Sequence, residues 1–172
     1  IFGESLAALG EADPRIVGIT AAMCDGVGMA EFAKRFPHRF FDVGIAEEHA
    51  VTFGAALAAG GMKPCFAVYS TFLQRCYDQI VNDTALIGSH AVLAIDRAGI
   101  VPDDGETHQG LFDISFLTSI PNVEIYSPAS YNELAHYIKQ SANMQKIYGI
   151  ADNGVLCEFY TTAKLIKNPS VV

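Results

Sequence analysis

Apolar residues along the chain fall into two alternating kinds of run. "RIVGIT" (15–20), "RFFDV" (39–43), "KPCFAVYS" (63–70), "HAVLAID" (90–96) and "NVEIYSP" (122–128) are short, rich in β-branched and aromatic residues, and end in turn formers. Runs of that kind predict buried strands. Residues 27–36, 46–60, 71–88 and 130–142 carry apolar positions at helical spacing, and "IFGESLAALGEADPR" reads as an amphipathic helix. Strands separated by helices predict an α/β fold, a mostly parallel sheet with helices on both faces and right-handed crossovers. Ligands in such sheets bind beyond the carboxyl ends of the strands. Asp42, Tyr69, Asp96 and Arg97 fall at that edge.

Composition narrows the classes. With 172 residues and 51% hydrophobic content, a single buried domain over 1–172 is expected. A formal charge of -8 argues against a nucleic-acid or anionic-membrane surface. The apolar runs are all shorter than the ~18 residues of a membrane-spanning helix. Cys24, Cys65, Cys76 and Cys157 show neither CxxC nor metal-ligand spacing, so reduced thiols in a cytoplasmic protein are expected, and no metal site. The chain opens mid-pattern without an initiator Met, which predicts a piece of a longer protein.

Two stretches depart from ordinary packing. "DRAGIVPDDGETHQGLFD" (96–113) is a long loop of acids, an Arg, a His and three glycines, tethered at both ends. Loops of that length inside a compact domain are usually functional or disordered, and the tethers at both ends favour function over surface disorder. "DVGIAEEHAVTFG" places two glutamates and a histidine where a strand meets a helix. Wound at ~100° per residue, Ala50, Phe53 and Leu57 form one apolar face. Glu47 falls beside Val51, Gly54 and Ala58, whereas Glu48 points towards Thr52 and solvent. His49, beside Phe53 and Ala56, reads as a packed core group. First-turn acids complement the helix dipole by ~0.3–1 kcal/mol, which accounts for Glu48. It accounts poorly for Glu47, whose small neighbours leave room for a ligand. A desolvated carboxyl can hold a proton at neutral pH and share it with a ligand nitrogen.

"FFDVGIAEEHAVTFGAALAAGGMKP", "YSTFLQRCYDQI" and "AIDRAGIVPDDGETHQGLFD", in that order, resemble the central pyrimidine-binding domain of 1-deoxy-D-xylulose-5-phosphate synthases. These are thiamine-diphosphate enzymes related to transketolase. The resemblance runs over 1–138, and 139–172 diverge. "THQG" suits the wider transketolase group, and "YSTFLQR" points to the synthases. The resemblance implies condensation of pyruvate with glyceraldehyde 3-phosphate and loss of carbon dioxide. Its product feeds isoprenoid, thiamine and pyridoxal biosynthesis. It implies Glu47 as the acid beside a pyrimidine nitrogen of thiamine diphosphate, with Phe72 and Arg75 around that ring. Tyr69 and Arg97 match acceptor-binding positions, and Asp104 and His108 match loop residues that meet substrate oxygens and move protons. Each also has an ordinary reading: core packing for Phe72, an ion pair with Asp78 for Arg75, a turn before Gly105 for Asp104, a solvated loop position for His108. Thr71 with Gln74 reads as a capping box that starts the next helix.

The chain departs from the family where Glu48 replaces a glutamine, Glu106 replaces a proline, and an Arg-Tyr-Pro ending is missing. "DNGVLCEFY" could supply a closing strand. The family's Gly-Asp-Gly element with its downstream Asn, which holds the diphosphate through Mg²⁺, does not occur in these residues. The expectation is therefore half of a cofactor site, inactive alone, completed by diphosphate-binding and C-terminal domains in a homodimeric enzyme. The alternatives are half of a split transketolase, a 2-oxoacid dehydrogenase β-subunit, or a non-catalytic module for subunit contacts.

Overall fold

The structure, a computed structural model, describes residues 1–101 and 104–141 in full, and the backbone of 142 and 154–158. Most of 139–172, the segment expected to diverge, and the Cys157 side chain lie outside the described residues. Six strands form one sheet: β1 (Ile16–Thr20), β2 (Phe40–Asp42), β3 (Lys63–Tyr69), β4 (Val92–Asp96), β5 (Val123–Tyr126) and β6 (Gly154–Glu158). Their order is β2-β1-β3-β4-β6-β5, and every pairing is parallel. The strand expected from "DNGVLCEFY" forms, but inside the sheet, between β4 and β5.

Helices cover both faces, so the central strands are buried on both sides. Val17, Ile19, Phe66, Val68, Leu93 and Ile95 point to one face, against Ala50 and Val51 of α3 (Glu47–Ala59) and against Leu73, Cys76 and Ile80. Ile16, Cys65, Ala67, Val92 and Ala94 point to the other. There they meet α1 (Phe2–Ala12), α2 (Ala30–Arg35) and α7 (Tyr131–Ala142) through Leu6, Ala7, Phe32 and Ile138. Phe32 is fully buried, and its truncation to Ala should cost about 3–5 kcal/mol in thermal unfolding.

The segment expected as one helix over 71–88 is broken. It runs as α4 (Ser70–Leu73), a 3₁₀ turn (Gln74–Cys76), α5 (Tyr77–Gln79) and a π-helix (Ile80–Ala85). Leu73, Cys76, Ile80 and Ala85 must all reach the core, and the last step spans five residues. Only a π turn keeps that step on one face. The capping box does not form. The helix starts at Ser70, Thr71 Oγ1 donates to the Thr107 carbonyl, and the Gln74 amide donates to the Thr71 carbonyl.

Two groups at the amino edge of the sheet make stability depend on pH. Asp13 accepts hydrogen bonds from the Arg15 side chain and pairs with Lys63 Nζ at 2.9 Å, and these cations hold its carboxyl well below the usual range. His90 is buried with both ring nitrogens unpaired, and burial, then the Lys63 charge, lowers its pKa. In both groups the folded form binds its proton less readily than the unfolded chain. Their contributions are therefore present above the unfolded values, about 6.5 for His and 3.9 for Asp, and are lost as pH falls. Melting temperature should fall between pH 7 and 5, and His90→Leu should flatten that slope. An unchanged slope would remove His90 as its cause.

Candidate functional site

The carboxyl ends of β1, β2, β3 and β4 lie side by side, with Thr20 opposite Asp42 and Tyr69 opposite Asp96. The chain leaves β1 for β2 on one side, then crosses through α3 to β3 on the other. A divergence of that kind opens a crevice at the strand ends. Asp42, at the end of β2, accepts hydrogen bonds from the backbone N–H of Ala22 and of Gly44.

Glu47 begins α3 at this edge and is 2% exposed. Its neighbours Ala50, Val51, Gly54, Ala55 and Ala58 are buried with it, so the small-residue stripe is the face turned to the sheet. Phe53 and Leu57, expected to lead the apolar face, are only partly buried. Glu48 is half-buried, not fully solvated as the winding suggested. His49 corrects the sequence reading outright. It is exposed, stacked on Phe53 with ring centroids 5.9 Å apart, because the small-residue stripe takes the face of α3 that is turned to the sheet.

Arg75 does not pair with Asp78. Its guanidinium donates to Glu47 Oε2 at 3.1 Å, while Asp78 accepts from the Asn82 amide. Beneath them lies Cys76, whose thiol is pushed up to about 12 by burial and stays protonated.

Further contacts join the short segment of residues 69–75 to the rest of this edge. The Arg97 guanidinium lies over the Tyr69 ring at 4.1 Å and pairs with the Asp104 carboxylate. Tyr69 and Phe72 stack at 6.1 Å, and the Phe72 ring meets His108 edge-on at 5.3 Å. Residues 69–75 thus join every site residue into one chain of contact: Glu47 to Arg75, His108 to Phe72, and Asp104 through Arg97 to Tyr69. The Tyr69 phenol is pushed up by burial, against the pull of Arg97. Burial likewise raises the Asp96 carboxyl, opposed by a hydrogen bond from the Arg97 backbone N–H.

The long loop is folded on itself. Gly99 and Gly110 exchange backbone hydrogen bonds at its neck. A 3₁₀ turn spans Glu106–His108, and the Gln109 side chain binds Val101 through both backbone groups and the Gly105 carbonyl. Sequence reasoning missed the residues beneath it. Ser70 Oγ donates to Asp113 Oδ2 at 2.8 Å, with both residues buried. Only the apolar surroundings of Asp113 in "GLFDISF" signalled them. Among the described residues no helix is long and apolar enough to cross a membrane, and no three His, Cys, Asp or Glu side chains could hold a metal.

Curated relatives match most of this chain in sequence. A 1-deoxy-D-xylulose-5-phosphate synthase of Desulfitobacterium hafniense is 58% identical over 144 residues, covering 84% of this chain and 23% of the relative. The synthase of Clostridium acetobutylicum is 58% identical over 150 residues, covering 87% of this chain and 24% of the relative. The chain thus spans about a quarter of the length of these relatives. Among solved structures, a split-gene transketolase, described as an inactive β4 tetramer, superposes with a TM-score of 0.76 at 26% identity. It covers 92% of this chain and 48% of that one. Transketolase from Leishmania mexicana has the same TM-score at 18% identity, covering 92% and 24%, and shares the fold. The family pattern of the transketolase pyrimidine-binding domain matches residues 1–151, and the chain belongs to that family.

Proposed function

We propose that this chain is the pyrimidine-binding domain of a 1-deoxy-D-xylulose-5-phosphate synthase. The complete enzyme condenses pyruvate with glyceraldehyde 3-phosphate and releases carbon dioxide. The observation that carries this is the contact chain from buried Glu47 through residues 69–75 to Arg97 and His108, at the carboxyl edge of the sheet. The donor set fits an aminopyrimidine: a carboxyl shielded from water, an aromatic side chain, and a cation to steady the acid. When bound, thiamine diphosphate supplies the carbon nucleophile and the electron sink.

The chain's own residues then divide the work. Glu47 exchanges a proton with a pyrimidine nitrogen, and Arg75 fixes its carboxylate by a charge-assisted hydrogen bond. Phe72 and the small-residue face of α3 keep water from that proton. Arg97, held over the Tyr69 ring, presents a planar fork of donors that suits the acceptor's phosphate. Asp104 orients Arg97, and His108 moves a proton at a substrate oxygen. Diphosphate, with Mg²⁺, belongs to the enzyme's diphosphate-binding domain. A cytoplasmic homodimer is the assembly this reading implies.

Two assays test it. The complete enzyme should release carbon dioxide from pyruvate and form the five-carbon product only with glyceraldehyde 3-phosphate and thiamine diphosphate. Transfer from a ketose phosphate, with pyruvate inert, would favour the transketolase alternative. The isolated 172-residue chain should bind thiamine diphosphate weakly. Calorimetry giving Mg²⁺-dependent, sub-micromolar binding (below about -8 kcal/mol) would contradict a half-site.

A further inference from the structure

Arg97 adopts a left-handed backbone, φ 55°, a conformation costly for a residue with a Cβ. Something in the surrounding structure must hold it there. The Asp96 carboxylate accepts from its N–H at 2.8 Å, fixing one side. On the other side Gly110 presses against it so closely that a Cβ there would lie 2.6 Å from the Arg97 carbonyl and 2.5 Å from Ser70 Oγ. Ser70, Gly110 and Arg97 therefore touch in sequence, and no side chain could separate them.

Ser70 is itself fixed. It follows Tyr69 at the end of β3, is 1% exposed, and donates to the carboxylate of Asp113, which is 2% exposed. The second Asp113 oxygen accepts the Ile114 backbone N–H. Asp113 opens α6 (Asp113–Leu117), whose Leu117 is packed in the core. The hydrogen bond thus ties the exit of the 97–112 loop to the strand end that carries Tyr69. Thr71, next in line, binds the Thr107 carbonyl beside His108. A buried carboxylate is expensive unless its lone pairs are satisfied, so an apolar pair would serve mere packing better.

We infer that Ser70 and Asp113 are positioning residues, a buried anchor that sets Arg97 over Tyr69 and so determines affinity for the phosphate-bearing acceptor. This deepens the proposed function and rests on Arg97 being the acceptor's phosphate ligand. Loss of the anchor frees the Gly99–Gly110 neck and lets Arg97 relax from its left-handed backbone. Affinity for the acceptor then falls, while the Glu47–Arg75 end of the site is untouched.

The test uses the complete enzyme with Ser70→Ala, Asp113→Ala, Asp113→Asn and Arg97→Ala. Ser70→Ala and Asp113→Ala should each raise the acceptor KM about tenfold, with pyruvate KM and the cofactor activation constant within about twofold. Asp113→Asn keeps its oxygen for the Ile114 N–H and turns its NH2 towards Ser70 Oγ, which can accept where it had donated, so it should recover most of that loss. Amide exchange at Gly99 and Gly110 should quicken in Ser70→Ala. An unchanged acceptor KM in Ser70→Ala, an equal loss towards pyruvate and cofactor, or failure of Ser70→Ala to fold would each overturn the anchor. If Arg97→Ala raises the acceptor KM and Ser70→Ala does not, only this inference fails. If Arg97→Ala is also silent, the acceptor-site reading fails with it.

Discussion

Glu47→Gln in the complete enzyme is expected to slow exchange of the cofactor's C2 proton by about 10²–10⁴-fold, the usual worth of one positioned acid–base group. The fold and most of the cofactor affinity should survive. The amide fills nearly the same volume, its oxygen can still accept from Arg75, and on the proposed reading the diphosphate is gripped by another domain. An amide cannot pass a proton to a ring nitrogen. Glu48→Gln, next along the helix but on its half-buried side, should leave exchange nearly unchanged. Exchange measured by deuterium loss in both variants separates the two acids. Sensitivity at Glu48 alone would mean that the wrong face of α3 has been assigned to the cofactor.

Arg97→Ala is expected to lower kcat/KM for glyceraldehyde 3-phosphate by one to two orders of magnitude, the ~1.5–3 kcal/mol of a charge-assisted hydrogen bond. Cofactor binding should be little changed, because Arg97 reaches the Glu47 end only through Tyr69 and the residues after it. Part of the loss would come from Asp104, whose carboxylate would stand unpaired beside an incoming phosphate. Adding Asp104→Asn to Arg97→Ala should therefore restore some of the rate. Arg97→Lys should recover less than charge alone implies, since Lys lacks the planar face that lies on Tyr69. Steady-state kinetics with the acceptor varied would show this. An unchanged kcat/KM in Arg97→Ala would put the phosphate elsewhere.

The sheet was legible because parallel strands buried on both faces leave unbroken apolar runs, as in residues 63–70 and 90–96. Their carboxyl ends then located Tyr69, Asp96 and Arg97. The burial of Glu47 was legible from helix winding, which set it in the stripe of Val51, Gly54 and Ala58 that packs on the sheet, while the cofactor role proposed for it rests on the family resemblance. What stayed hidden depends on contacts far apart in the chain. The capping box failed because the Thr107 carbonyl, 36 residues away, takes the Thr71 hydroxyl. Local propensity cannot outvote such a partner. Arg75 turned to Glu47 because α3 brings a buried carboxylate within reach, and Asp78 found a local amide instead. Ser70 and Asp113, 43 residues apart, look like a strand-end serine and a helix-start aspartate. Only the fold makes them a pair. The left-handed backbone at Arg97 leaves no trace in its residue type, though Gly99 and Gly110 mark the close approach that it needs.

The most direct measurement is a crystal structure of the complete enzyme with thiamine diphosphate bound. It should place a Glu47 carboxylate oxygen about 2.6–3.2 Å from a pyrimidine ring nitrogen, with Arg75 still on the other side of that carboxylate. A pyrimidine seated elsewhere, with Glu47 bound to Arg75 alone, would contradict the account.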